Sequence, residues 1–240
     1  MADKPHREQF HFNTNAQVPW GTFVVFLAFF LAFILAPFVI SVVLIPIHPV
    51  PTLTVRLLLT HFSIYATWIA IFICFRRRYG PDFWRYLGLT VDKNPLLYLA
   101  DALVCTGCIL LMGLLLGGLS DKLGLPHPHP FNQFSKQELQ VLSMLAVLAA
   151  PFLEEIVFRG FFQPTLYRLV PVPVAILLTG CFFALFHVMY YGQWIALVYV
   201  AMLGMILGVF RYTSRSTIPC IIAHLLNNLI VSLILLHQPL

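Results

Sequence analysis

The chain has 240 residues, 60% of them hydrophobic and only 10% charged, with a formal net charge of +5 and a mean hydropathy of +0.89. A soluble domain carries about 25% charged residues, and an aqueous core of this size cannot hide so much apolar surface, so a soluble globular fold is excluded. The basic excess does not point to nucleic acid either, because no basic face interleaved with aromatics is available to bind it.

A polar N-terminal tail, residues 1–18, carries Lys4 and Arg7. The first apolar run begins near Val18 and continues past Ile45, far longer than the core of a cleavable signal. No Asp, Glu, Lys or Arg occurs between Glu8 and Arg56, Arg56 and Arg76, Asp101 and Asp121, or Arg168 and Arg211, nor after Arg215. A spanning helix needs about 20 mostly apolar residues, and in lipid the backbone must satisfy its own hydrogen bonds. The expected fold is therefore all-α: one polytopic membrane helix bundle, 1–240, with seven transmembrane helices near 19–46, 54–75, 95–118, 138–164, 171–190, 193–211 and 217–236. Pro37 in the long first span predicts a tilt or kink. The uncharged run 169–210 must hold two spans, with Tyr190–Gln193 as the turn between them.

The segments between the spans carry their own signals. Arg78–Asn94, with Trp84 and Tyr86, reads as interfacial. Asp101 reads as an anchor at the start of the third span, with a water-filled vestibule as the alternative. His127 and His129 alternate with prolines in a rigid extended loop, which reads as a spacer rather than a metal site. Gly113/Gly117 and Gly204/Gly208 are small-xxx-small pairs that let helices approach closely. The cysteines, Cys74, Cys105, Cys108, Cys181 and Cys220, all fall in apolar stretches and read as packing residues.

Lys and Arg set the orientation. Arg76, Arg77, Arg78, Arg85 and Lys93 follow the second span and mark it as cytoplasmic at that end. With seven spans, Lys4, Arg7, Arg168, Arg211 and Arg215 fall on the same side, while Lys122, Lys136 and Arg56 fall outside. That bias of ten against three predicts N-in and C-out.

Charge inside a membrane is costly and has a purpose. The fourth span contains Pro151-Phe152-Leu153-Glu154-Glu155-Ile156-Val157-Phe158-Arg159-Gly160. Glu155 and Arg159 are i,i+4 and can pair on one face, whereas Glu154 points about 100° away and is expected to face a cavity. The fifth span carries Phe183-Ala184-Leu185-Phe186-His187, and the seventh carries His224-Leu225-Leu226-Asn227-Asn228. His224 and Asn228 share a helical face. Three helices thus each bring polar groups into an apolar interior, and one shared, water-accessible site accounts for all of them. A glutamate in a low-dielectric site can act as a general base on water, a histidine can position that water, and a second histidine and an amide can donate to an oxyanion. One geometric difficulty stands: these spans put Glu154 and Asn228 near mid-membrane but His187 near the outer end of the fifth, a mismatch of about 10 Å at 1.5 Å per residue. A short or tilted fifth helix removes it.

At these residues the sequence resembles the CPBP family of CAAX proteases and bacteriocin-processing enzymes, which includes the type II CAAX prenyl endopeptidases. The pattern Glu-Glu-x-x-x-Arg, Phe-x-x-x-His, His-x-x-x-Asn is matched in order by Glu154-Glu155…Arg159, Phe183…His187 and His224…Asn228. The resemblance covers about 138–232 and makes that region the expected catalytic core. It implies a membrane endopeptidase in which Glu154 and His187 activate water, His224 and Asn228 stabilise the oxyanion, and Glu155 and Arg159 support the site. No cofactor is the expectation. Zinc held by Glu154, His187 and His224 is the alternative, although the His-Glu-x-x-His spacing is absent. The implied partners are a peptide or lipidated protein substrate and membrane lipid, and the compact loops point to a multi-pass protein of a bacterial inner (plasma) membrane. The competing reading is a non-enzymatic one, bacteriocin self-protection or transport through the buried polar site, although a transporter more often shows broken helices or repeats.

Overall fold

The computed structural model of the chain describes residues 20–44, 52–125, 134–187 and 193–237. Among these residues the only regular elements are helices. Five are long and apolar enough to cross a membrane, Thr54–Arg77, Pro95–Lys122, Lys136–Leu166, Trp194–Ser214 and Ile218–His237, and two shorter apolar stretches, Leu27–Ile40 and Val172–Leu185, join them. The protein is a polytopic helical membrane bundle. The N-terminal tail, the His127/His129 loop and Tyr190–Gly192 lie outside the described residues.

Helix α1 (Trp20–Leu44) packs along α2 (Leu53–Tyr79). A 3-10 turn, Gly80–Asp82, and the short α3 (Phe83–Tyr86) lead to α4 (Pro95–Lys122). Asn94 caps α4, its Oδ1 accepting from the Leu96 amide at 3.0 Å, and Pro95 sits where a missing N–H costs nothing. Helix α5 (Lys136–Leu148) opens on a capping box: Ser135 Oγ accepts from the Glu138 amide at 3.3 Å, and Glu138 Oε2 accepts from the Ser135 amide at 2.9 Å. The other Glu138 oxygen accepts from Thr54 Oγ1 at 2.6 Å and ties α5 to α2.

The fourth span departs from the regular helix expected over 138–164. After α5 the chain breaks at Ala149, resumes as α6 (Ala150–Glu155), widens into a π-helical stretch, Ile156–Phe162, and ends as α7 (Gln163–Leu166). Pro151 and Pro164 explain the breaks: neither has an N–H to give to the carbonyl four residues earlier. Between them the register shifts to i→i−5, so that the Gln163 amide donates to Phe158 O. Such π turns concentrate at functional sites.

The fifth span is shorter than the expected 171–190. Helix α8 runs Val172–Leu185, 14 residues, or about 21 Å, against a hydrocarbon core of about 30 Å. It closes with 3-10 bonds from the Phe186 amide to Phe183 O and from the His187 amide to Ala184 O. His187 is thereby set inside the bundle, which removes the depth mismatch with Glu154.

Helices α9 (Trp194–Ser214) and α10 (Ile218–His237) complete the core, α9 against α8 and α4, α10 against α4 and α5. At the α8–α9 contact, a Cβ on Gly180 would lie 2.5 Å from Met205 Cγ and 2.7 Å from Ala201 O, and one on Gly204 would lie 2.9 Å from Gly180 Cα. Gly208 is also in contact, against Gln163. Of the Gly113/Gly117 pair, only Gly113 meets a neighbour, Tyr199, whereas Gly117 has nothing within 4 Å. Gly180→Ala is therefore expected to cost about 1–3 kcal/mol through overpacking, read as a lower thermal midpoint in detergent, while Gly117→Ala leaves it unchanged. Equal midpoints for the two variants would refute the tight crossing.

The α9–α10 corner is pinned from the opposite half of the chain. Arg215 turns the corner at φ 59. The Thr217 amide and Ser216 Oγ donate to Gly88 O at 2.9 and 3.0 Å, Thr217 Oγ1 donates to Leu87 O at 2.6 Å, and Lys93 Nζ donates to Ser214 O at 2.8 Å. Gly88 is required there: its φ is +68 and a Cβ would lie 2.9 Å from Arg211 Nη2. The segment expected to be interfacial is thus also a latch, with Trp84 exposed but Phe83 and Leu87 buried.

Candidate active site

The two adjacent glutamates of α6 diverge, as a 100° step requires. Glu155 is turned fully inward, 0% exposed, beside an equally buried Arg159. Arg159 Nη1 donates to Glu155 Oε1 at 2.9 Å, and Nη2 donates to Gly204 O at 2.8 Å. The guanidinium lies over the Phe183 ring, 4.6 Å from its centroid, a favourable seat for a desolvated cation. His224 Nδ1 donates to the same Glu155 Oε1 at 2.9 Å; since a carboxylate only accepts, this nitrogen carries the hydrogen. One buried carboxylate therefore binds the π-helical stretch to α10, and its arginine binds that stretch to α9.

Glu154, His187, His224 and Asn228 line a single cavity of about 270 Å³. His187 Nδ1 donates to Phe183 O at 2.8 Å, which makes Nε2 the lone-pair nitrogen. Its ring packs on Phe183, centroids 4.7 Å apart, and Phe183 meets His224 edge-on at 5.7 Å. Asn228 Nδ2 donates to Ala146 O at 2.8 Å, near the break between α5 and α6. Asn227 accepts from Tyr199 Oη at 2.8 Å and donates to Asn228 Oδ1 at 3.3 Å, which fixes the orientation of both amides.

Several residues at the site escaped the sequence reading. His61 and Tyr65 of α2 line the same cavity as Glu154. Their i,i+4 spacing in an otherwise apolar span was the available signal. Gln163 is fully buried, donating to Gly208 O at 2.7 Å and hydrogen-bonded to Tyr167. Arg211, expected in a cytoplasmic loop, is 2% exposed and donates through Nε to Arg159 O at 3.0 Å.

Among the described residues no group of three or more His, Cys, Asp and Glu side chains is disposed to hold a metal ion. Both imidazole Nδ1 atoms are committed to protein acceptors, so Nε2 is the nitrogen through which either ring would act.

Fold and cavity together define a helical intramembrane protein whose titratable side chains, drawn from separate helices, meet at one interior site. Residues 136–230 match the family model described as type II CAAX prenyl endopeptidase Rce1-like, and over this segment the chain is similar to that family. The matched segment runs from α5 into α10 and holds Glu154, Glu155, Arg159, His187, His224 and Asn228, whereas α2 lies outside it. The family is one of CAAX-type intramembrane proteases and implies a membrane-associated peptide or prenylated protein as substrate. No curated protein and no solved structure matches the chain.

Proposed function

We propose that this protein is an endopeptidase that hydrolyses a peptide bond close to the membrane, in a CAAX-type, leader or sorting peptide, with water activated by Glu154. The observation that carries the reading is the shared cavity: Glu154, His187, His224 and Asn228 line one space, and grouping such side chains in a membrane interior is costly unless they are used.

In this reading a water lies between Glu154 and Nε2 of His187. Glu154 takes its proton as the oxygen attacks the scissile carbonyl. The developing oxyanion meets Asn228, whose amide has a second N–H beyond the one given to Ala146, and His224. Because Nδ1–H of His224 is committed to Glu155, its Nε2 donates only from the imidazolium, for which Glu155 is the counter-ion. The tetrahedral intermediate then collapses, the C–N bond breaks, and the proton held by Glu154 passes to the leaving amine. Glu155 and Arg159 keep His224 and the π-helical stretch in register. The distribution of Lys and Arg supports an N-in, C-out orientation, and the compact loops support a bacterial inner membrane as the location.

The test is cleavage of a panel of quenched prenylated and non-prenylated peptides by the reconstituted protein, wild type beside Glu154→Ala, with and without a strong chelator. Cleavage that is lost in Glu154→Ala and survives the chelator supports the proposal. Loss on chelation with rescue by zinc overturns the metal-free mechanism. Failure to cleave any peptide, together with a host phenotype indifferent to Glu154→Ala, overturns the enzymatic reading in favour of self-protection or transport.

A further inference from the structure

One wall of the cavity comes from outside the family-matched segment. Helix α2 brings His61 and Tyr65, four residues apart and so on one helical face, to the space that Glu154 faces. Tyr65 is buried, and a buried tyrosine hydroxyl takes a hydrogen-bond partner; the Glu154 carboxylate lines the same cavity. The phenol ring is clamped by His61 and Trp68, at 5.9 and 5.8 Å between centroids. Both clamping residues commit a ring nitrogen elsewhere, His61 Nδ1 to Leu57 O at 2.8 Å and Trp68 Nε1 to Phe29 O at 3.3 Å. Packing alone therefore sets where the Tyr65 hydroxyl lies.

The terminal torsion of a glutamate is broad, so the plane of a carboxylate facing a cavity is not fixed by its own rotamer. We propose that Tyr65 is a positioning residue for Glu154: its hydroxyl donates to one carboxylate oxygen, fixes that plane, and leaves the other oxygen aimed at the water to be deprotonated. The inference rests on Glu154 being the base. It extends the working site to α2 and gives the bare N-terminal half of the chain a part in the chemistry.

The experiment uses the full-length protein in liposomes and a quenched farnesylated CAAX-type peptide. Tyr65→Phe keeps the ring and removes only the hydroxyl. It is expected to lower kcat about 10–100-fold, the cost of misplacing a reacting group by an ångström or less, with KM and thermal midpoint unchanged. In a Glu154→Asp background, where the carboxylate is withdrawn by one methylene, the same substitution has little further effect, because residues that act through each other are not additive. Thr54→Val, at the far end of the same helix, serves as the structural control: it breaks the bond to Glu138, lowers the thermal midpoint and leaves kcat in place. Wild-type kcat in Tyr65→Phe, or a loss confined to KM or tracking the thermal midpoint, overturns the proposal while Glu154 remains the base. Wild-type rates in Glu154→Gln overturn the assignment of the base, and this proposal with it.

Discussion

Glu154→Gln is expected to lower kcat about 10³-fold on any peptide that the wild type cleaves, within the 10²–10⁴ range that one general acid–base step contributes. The substitution is nearly isosteric. Glu154 is only half-buried and faces the cavity, so no packing is lost. The amide oxygen of glutamine can still accept a hydrogen bond; what disappears is the ability to take a proton from water. Steady-state kinetics beside a thermal melt separate the two effects. A fall in kcat at an unchanged midpoint is the expected result, and an active Glu154→Gln protein would sink the mechanism.

Arg159→Leu is expected to act on stability instead, by about 3–5 kcal/mol, the cost of leaving one member of a buried ion pair uncompensated. For a chain of this size that is a thermal midpoint lower by on the order of 10 °C. The site has no slack: Glu155 Oε2 and Arg159 Nε have no hydrogen-bond partner among the described residues, so Glu155 would keep only His224. Glu155→Leu/Arg159→Leu removes both charges and is expected to recover much of the midpoint, since apolar replacement of a whole buried pair is often neutral or better. Activity should stay low in the double variant, because His224 loses the acceptor that holds its ring. A double variant no more stable than Arg159→Leu would show that the pair is not the origin of the loss.

Much of this was legible in the sequence because lipid leaves few options. Charge-free runs of about 20 residues must be helices, and a Glu-Glu-x-x-x-Arg stretch between prolines cannot sit in lipid without partners of its own. The i,i+4 pairing of Glu155 with Arg159 follows from helical spacing, and the hydrogen bond between them survives the local widening to a π helix. The divergence of Glu154 from Glu155 follows from the same periodicity.

What sequence spacing cannot carry is the meeting of helices. That His224 on α10 reaches Glu155 on α6, that Arg159 finds the carbonyl of Gly204 on α9, and that Arg211 reaches back to Arg159 O are consequences of packing across 69, 45 and 52 residues of chain. The length of α8 was misjudged for a related reason: hydropathy continues past Leu185, but the His187 ring takes up the Phe183 carbonyl and the helix closes there. Tyr65 and His61 looked like ordinary residues of an apolar span, and only the placement of α2 against the cavity makes them neighbours of Glu154. By itself the sequence determined the solvent, the helical class and which polar side chains had to be sheltered, because those follow from local composition and period. Tertiary structure alone decided that α2 brings His61 and Tyr65 to the same cavity and which atoms pair around it, since both depend on how whole helices cross and not on local pattern.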